Sequence, residues 1–500
     1  MTPSPSRAAT STAEHAGQLS AEVRARYESV IGLEVHAQLA TATKAFCACS
    51  SRFGDPPNTN VCPVCLGLPG ALPVLNRRAL ELAIKAALAL HCSVQERSRF
   101  ARKNYFYPDL PKGYQISQYE LPLATGGWLD IRGKRIGITR LHMEEDAAKN
   151  LHEGFPDAAQ YSHIDFNRGG VPLIEIVSEP DLRSPIEAYE YLTTLKQTLE
   201  YIAVSDCNME AGSLRCDANV SVRRASDQKF GTKVEVKNLN SFRYLMHALE
   251  FEIVRQIGVL ESGGSVMQET RLWNVAAGRT ESMRSKEFAH DYRYFPDPDL
   301  LPALITQARK NAILAEMPEL PGAKRERFLN EYRISAYDAE VLTATIALAD
   351  YFEAAVRAGA APKSAANWIQ TNLLRRLNDC AKDISQSSVS AEALADLLRR
   401  IDQNEITGAI GKRVLAKMFE SGKSAAEVIA AEGLSPISDT ESIERICRDV
   451  IAANSANVEK YRAGNEGVFK FFVGQVMKET KGRANPQVVN EILTRLLRQK

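Results

Sequence analysis

The sequence predicts an α+β N-terminal region built on a mainly antiparallel sheet, followed by an all-helical C-terminal half. Three observations carry this. Short runs of alternating polarity recur between residues 27 and 300, separated by Gly, Pro and Asn. Several follow one another with no room for a crossover helix, which favours antiparallel neighbours. After Pro302 the strand signals stop, and Ala, Leu, Arg and Glu dominate.

Taken in order, residues 1–26 are rich in Ser, Thr, Ala and Pro, lack an apolar core segment, and read as a disordered tail rather than a secretory signal. Strands are expected at Val30–Leu39, Arg135–Met143, His163–Phe166, Leu173–Val177, Ser213–Val222 and Thr232–Val236. Asn76 is placed to cap a helix running to His91, with Leu80, Ile84, Ala87 and Leu88 on one face. Ser184-Pro185-Ile186-Glu187 has the form of a capping box with proline at the first helical position, and opens a helix to about Ile202. Amphipathic helices are expected over Ile334–Ala358, Ser364–Lys382 and Ala391–Ile401. Turn signals stand at Gly408, Gly422, Gly433-Leu434-Ser435-Pro436 and Gly482. The chain closes with helices over Val468–Lys481 and from Asn485-Pro486 to Arg498. The domain division is thus 1–26, a 27–300 α+β domain, a 301–405 helical linker and a 406–500 helical tail.

Composition limits the function classes. In 500 residues there are 45% hydrophobic and 25% charged side chains and a net charge of +1, so any basic surface must be local. No run of 18 apolar residues occurs, so no membrane span is expected. Nine cysteines, four of them in metal-ligand spacing, favour a reducing cytoplasm over a disulfide framework.

Those four, Cys47-x-Cys49 and Cys62-x-x-Cys65, bracket a twelve-residue loop turned by Asp55-Pro56-Pro57-Asn58. Two close thiolate pairs form a closed tetrahedral set, which is the pattern of structural Zn²⁺. It would hold a loop too polar to fold by burial.

A harder site is expected on the strands. Period two puts Glu34, His36 and Gln38 on one face of the first strand, and Leu33, Val35 and Ala37 on the other. The same rule groups Arg215, Asp217 and Asn219. Glu175 is a lone carboxylate in a β-branched run, costly to bury unless paired or metal-bound. His142-Met143-Glu144-Glu145-Asp146 adds an acidic cluster. A polar stripe on one strand ordinarily faces water; its recurrence on several strands points to carboxylates and an imidazole converging on Mg²⁺, and through it on the phosphates of ATP. No glycine-rich phosphate loop or dinucleotide fingerprint is present. The aromatic segments Asn104–Pro108 and Asp291–Pro296 read either as corners of the core or as surfaces that stack a base. Six basic against two acidic residues in 478–500, with Lys478, Lys481 and Arg483 at a helix–turn–helix join, suit phosphate contacts on nucleic acid; a solvated helix face is the other reading.

Eight long segments in order, VIGLEVHAQL, RKNYFYPDLPKGYQISQYE, RLHMEEDAAK, PLIEIVSEPDLRSP, GSLRCDANVSVR, KVEVKNLNSF, DYRYFPDPDL and FFVGQVMKETKGRANPQVVNEIL, resemble the B subunits of the bacterial-type aspartyl/glutamyl-tRNA amidotransferases, from about Tyr27 onward. The resemblance implies a cradle domain similar to the catalytic part of glutamine synthetase. It implies ATP- and Mg²⁺-dependent phosphorylation of the side-chain carboxylate of Glu-tRNA(Gln) or Asp-tRNA(Asn). Amidation would use ammonia from a partner amidase (glutaminase), the A subunit, with a small C subunit also in the complex, and the tail would grip tRNA. The metal positions it implies fall on Glu34, His36, Glu145, Glu175 and Asp217. Alternation agrees for Glu34, His36 and Asp217, but favours Glu144 over Glu145 unless a bulge intervenes. Arg215 is placed to steady a phosphate. The competing expectation is a non-catalytic, zinc-bearing tRNA-binding adaptor.

Overall fold

The computed structural model describes residues 19–151, 156–157, 160–283, 291–433, 439–480 and 482–498. Residues 1–18 of the expected tail, Leu434–Pro436 of one expected turn, and Lys481 lie outside the described residues. The end of that tail is structured: Ser20 caps a helical turn over Ala21–Ala25.

The chain divides into two compact units, Met1–Leu320 and Pro321–Lys500. The first is built on a nine-stranded sheet. Its strands are β1 (Tyr27–Gln38), β2 (Ser93–Val94), β3 (Ala124–Ile131), β4 (Lys134–Glu145), β5 (Pro172–Ser178), β6 (Leu214–Arg224), β7 (Val234–Lys237), β8 (Thr270–Asn274) and β9 (Arg279–Ser282). The spatial order is β9-β8-β7-β6-β1-β5-β4-β3-β2. Every neighbouring pair is antiparallel except β7 with β8, so the mainly antiparallel sheet expected from the sequence is what forms.

Three helices, α1 (Arg77–Ala89), α2 (Pro185–Tyr201) and α3 (Phe242–Glu261), contribute to one core with Ile31, Leu33, Val35 and Ala37 of β1. Asn76 caps α1 by accepting from the N–H groups of Arg78 and Ala79. Ser184 Oγ caps α2, but the capping box is only half made: the Glu187 carboxylate accepts from Arg183 N–H and from Lys134 instead of reaching back to Ser184. A buried Leu or Ile contributes about 1.5–3 kcal/mol, so the apolar face of β1 anchors the sheet and leaves the face bearing Glu34, His36 and Gln38 free for chemistry. Gly127 on β3 marks a close approach to the end of α1: a Cβ there would lie 2.5 Å from the Leu90 carbonyl oxygen and 2.3 Å from Cys92 Sγ. Gly127→Ala is therefore expected to destabilise the first unit by roughly 1–3 kcal/mol, read as a lower chemical-denaturation midpoint with an unchanged slope.

The second unit is helical, with one core from Phe328 to Val428 and another from Ile443 to Leu497. The single helix expected over Ile334–Ala358 is two, Ala336–Leu342 and Ile346–Arg357, because Thr345 accepts from Leu348 N–H and starts a new helix. The segment expected as Ser364–Lys382 starts at Pro362 and contains a π-turn at Ile369–Leu373. The last helices, Phe469–Glu479 and Pro486–Arg498, match the pattern.

Candidate metal and catalytic centre

The site grows from the sheet's centre. β1 lies between β6 and β5, and β4 follows β5. The register places Arg215, His36, Glu175 and His142 in one row across these four strands. Asp217 and Glu34 occupy the next row. Residues far apart in the sequence thus become neighbours on one face, about 4.5–5.5 Å apart from strand to strand.

His36 Nε2 is 3.4 Å from Glu144 Oε1 and 3.4 Å from Glu175 Oε2, and His142 Nε2 is 3.2 Å from the same Glu175 oxygen. Donor atoms of His36, Glu144 and Glu175 all lie within 4.8 Å of one another. Burial disfavours a charged imidazole at His36, yet the two carboxylates outweigh it and push the ring up to about 10. The same contacts hold Glu144 and Glu175 below the carboxylate range against the opposing effect of burial. His142 is 3% exposed at its side chain, and its Nδ1 has no hydrogen-bond partner among the described residues. Two carboxylates and a nearby imidazole form an O/N donor set suited to a hard or borderline divalent cation.

Glu34 and Asp217 stand beside this cluster rather than in it. Glu34 accepts from Asn219 Nδ2 at 2.8 Å; burial, followed by the charge of Glu175, pushes its carboxyl up. Asp217 accepts from Lys237 Nζ at 3.1 Å, and Lys237 also meets Glu235 at 2.9 Å. Burial works against the Lys237 ammonium, but those two carboxylates raise it above its ordinary value. Arg215 is pinned 2.9 Å from the buried Asp146, which also accepts from Gln38 Nε2 at 2.9 Å.

Glu145 is not brought to the cluster. β4 pairs with β5 without a bulge from Pro172–Glu145 to Val177–Arg140, so alternation holds and Glu144 takes the face shared with His142. Glu145 turns the other way, paired with Lys112 and accepting from Ile116 N–H at 2.9 Å, beside a cavity of about 160 Å³. His142 is a site residue that the acidic cluster masks in the sequence; its place two residues before Glu144 in the alternating pattern is the signal that finds it.

The four cysteines do meet. The Sγ atoms of Cys47, Cys49, Cys62 and Cys65 lie within 4.8 Å of one another, and Cys62 and Cys65 are 3.9 Å apart. A tetrahedron with metal–sulfur bonds of about 2.3 Å has edges of about 3.8 Å. Hydrogen bonding from Cys47 and from Cys62 N–H, with the Lys44 ammonium nearby, holds the Cys65 thiol down at about 4 despite burial. The intervening loop is tied to the segment before β5: Asn58 N–H donates to Asp165 at 3.0 Å and Asn60 N–H to Asn167 at 2.8 Å.

In the second unit, Lys478 is exposed in the last turn of its helix, and Arg483 lies four residues beyond that helix, its Nε 3.4 Å from the Thr480 carbonyl.

Comparison with known proteins gives the family of the chain. The family described as the GatB/GatE catalytic domain matches residues 29–311, and the GatB domain matches residues 350–497. These matches over the fold just described define a catalytic chain of the GatB/GatE class. Relatives named as the B subunits of aspartyl/glutamyl-tRNA(Asn/Gln) amidotransferases include one from Carboxydothermus hydrogenoformans, 54% identical over 93% of this chain and 98% of its own. Others come from Geotalea daltonii (54%, covering 94% and 99%) and Persephonella marina (54%, covering 94% and 100%). The chain belongs to the family of aspartyl/glutamyl-tRNA(Asn/Gln) amidotransferase B subunits, as the eight sequence segments imply. Among the described residues no helix is long and apolar enough to cross a membrane.

Proposed function

We propose that this chain activates the side-chain carboxylate of Glu-tRNA(Gln) or Asp-tRNA(Asn) with ATP and amidates it, working in the cytoplasm with an amidase partner that supplies ammonia and a small third chain. The observation that carries this is the cluster of His36, Glu144 and Glu175 at the centre of the sheet, in a chain of this family. A carboxylate does not yield oxygen to ammonia, because oxide is a poor leaving group. Transfer of the γ-phosphoryl group from ATP makes an acyl phosphate and ADP. Ammonia then attacks the carbonyl carbon, phosphate leaves with the electron pair of the C–O bond, and the added nitrogen loses a proton to give the amide.

Mg²⁺ bound there would neutralise charge on the transferring phosphoryl group. Glu144, Glu175 and His36 would hold it, with Glu34 and Asp217 completing the acidic face. His142 positions Glu175. Arg215, steadied by Asp146, supplies a cation in the row of His36 for the phosphate, and Lys237 a second beside Asp217. The four-thiolate cluster would hold a structural Zn²⁺. The test is ATP hydrolysis by the reconstituted complex: it should require mischarged tRNA and Mg²⁺ and yield amidated tRNA. Hydrolysis indifferent to tRNA would leave only an adaptor role.

Residues 406–500 serve as the tRNA grip in this reading. Replacing Lys478 and Arg483 by Ala is expected to weaken tRNA binding at about 0.1 M salt and to flatten the log–log salt dependence by about 1–2. Unchanged affinity and slope would place the tRNA elsewhere.

A further inference from the structure

Both aromatic segments singled out in the sequence come together beside the acidic cluster. Strand Ala101–Asn104 pairs with Phe295–Pro296 on one side and Tyr114–Ser117 on the other. This small sheet abuts β4: Gln115 Nε2 donates to the Glu145 carbonyl at 2.7 Å, and Ser117 Oγ lies 3.5 Å from Glu144 Oε2. The turn before Phe295 is clamped by Asn104, whose backbone N–H donates to Tyr292 O at 3.0 Å and whose side chain donates to Arg293 O at 2.8 Å. Arg293 takes a left-handed φ of 45° there, and Tyr292 and Tyr294 flank it in sequence. Tyr294 stacks on Tyr119 with centroids 4.2 Å apart and planes 6° from parallel. Burial and then the charges of Glu144 and Glu175 push the Tyr294 phenol up, which places this pair within electrostatic reach of the metal-binding carboxylates.

Three of the rings are open to solvent, while Tyr105, Tyr292 and Tyr294 are half-buried. Phe106 is 91% exposed, Tyr107 52% and Tyr119 50%. Cations are interleaved with them. Lys103 Nζ lies 4.8 Å from the Tyr292 ring centroid. Lys103, Arg140 and Arg293 have no carboxylate partner among the described residues, whereas Arg102 in the same sheet is paired with both Asp297 and Asp299 at 2.8 Å. Several exposed ring faces with unpaired cations between them are the chemistry of a single-stranded nucleic-acid platform. The base of a lone nucleotide is ordinarily enclosed in a pocket.

We propose that this tyrosine-rich sheet seats the single-stranded 3′ end of the tRNA, with a terminal base stacked on Tyr119 and backbone phosphates met by Lys103, Arg140 and Arg293. That would set the esterified amino acid beside Glu144 and Glu175. The inference rests on the tRNA-dependent reading above and deepens it by naming the residues that receive the acceptor end.

The experiment measures binding by the assembled complex, without turnover, of uncharged tRNA that is either intact or lacks its terminal adenosine. Tyr119→Ala is expected to weaken the intact tRNA by about 5- to 100-fold, while Tyr119→Phe stays within about twofold of the parent, since the ring and not the hydroxyl stacks. The trimmed tRNA should bind the parent and Tyr119→Ala alike, and the Kd for a non-hydrolysable ATP analogue should not move. Equal losses for intact and trimmed tRNA would overturn the proposal. So would a raised Kd for that analogue with tRNA binding unaltered, which would assign the platform to the nucleotide's base. Because the readout is binding, it stands apart from the functional reading: loss of the amidation role would show in the metal-site variants and leave this difference intact.

Discussion

Glu175→Gln in the assembled enzyme is expected to lower amidation of mischarged tRNA by on the order of 10³-fold, while glutaminase activity and the thermal midpoint stay close to those of the parent. Glu175 is the hub of the site, with one oxygen 3.4 Å from His36 Nε2 and 3.2 Å from His142 Nε2. Glutamine keeps the shape but removes the charge that would hold a divalent cation, and several kcal/mol of transition-state stabilisation go with it. Glu144→Gln should follow the same course, because its carboxylate meets His36 across β5, from two strands away. His36→Ala and Asp217→Ala are expected to fail in amidation as well. Glu145 has a different environment, a buried pairing with Lys112, so its replacement bears first on that pair. Single-turnover conversion of mischarged tRNA at saturating Mg²⁺ is the measurement. Full conversion by Glu175→Gln would remove the cluster from the reaction.

The second large effect concerns the thiolate cluster. Cys62→Ser with Cys65→Ser is expected to abolish binding of about one zinc per chain and to lower the thermal midpoint by roughly 5–10 °C. Four sulfur–metal bonds would close the loop from Cys47 to Cys65 as a cross-link does, and the loop has little apolar burial to replace them. Phe53 is 76% exposed, so that side chain adds little. The loss should be local at first. Asn58 and Asn60 tie the loop to Asp165 and Asn167, so proteolytic sensitivity is expected to appear between residues 50 and 62 before the sheet opens. Metal analysis and limited proteolysis read the two effects separately. Zinc retained by the double variant would refute the assignment of the cluster.

Much of this site is readable in one dimension. Strand alternation alone puts Glu34 and His36 on the working face of β1 and Asp217 with Arg215 on that of β6, and the structure keeps all four there. It also favours Glu144 over Glu145, and the unbroken pairing of β4 with β5 follows it. The cysteine spacings specify a cluster that does assemble. Helix α3 is harder to see: its Ser241 cap resembles many serines, and its buried face contains Glu252 and Gln256, whose Nε2 donates to Glu252 and to the Val220 carbonyl. The break at Thr345 is hidden for a related reason, since a threonine cap competes with a helix only when the packing lets the chain turn.

Local stereochemistry settles which face a side chain takes, where a helix is capped and which thiols lie near enough to share an ion, because each depends on a few consecutive residues. The company a side chain keeps across the sheet depends on which strands pair and in what register, and those are long-range choices made by the whole core. The folded chain alone decided that His36 would sit between Glu144 and Glu175, that Asp146 would hold Arg215, and that Tyr119 and Tyr294, far apart in the sequence, would stack beside them.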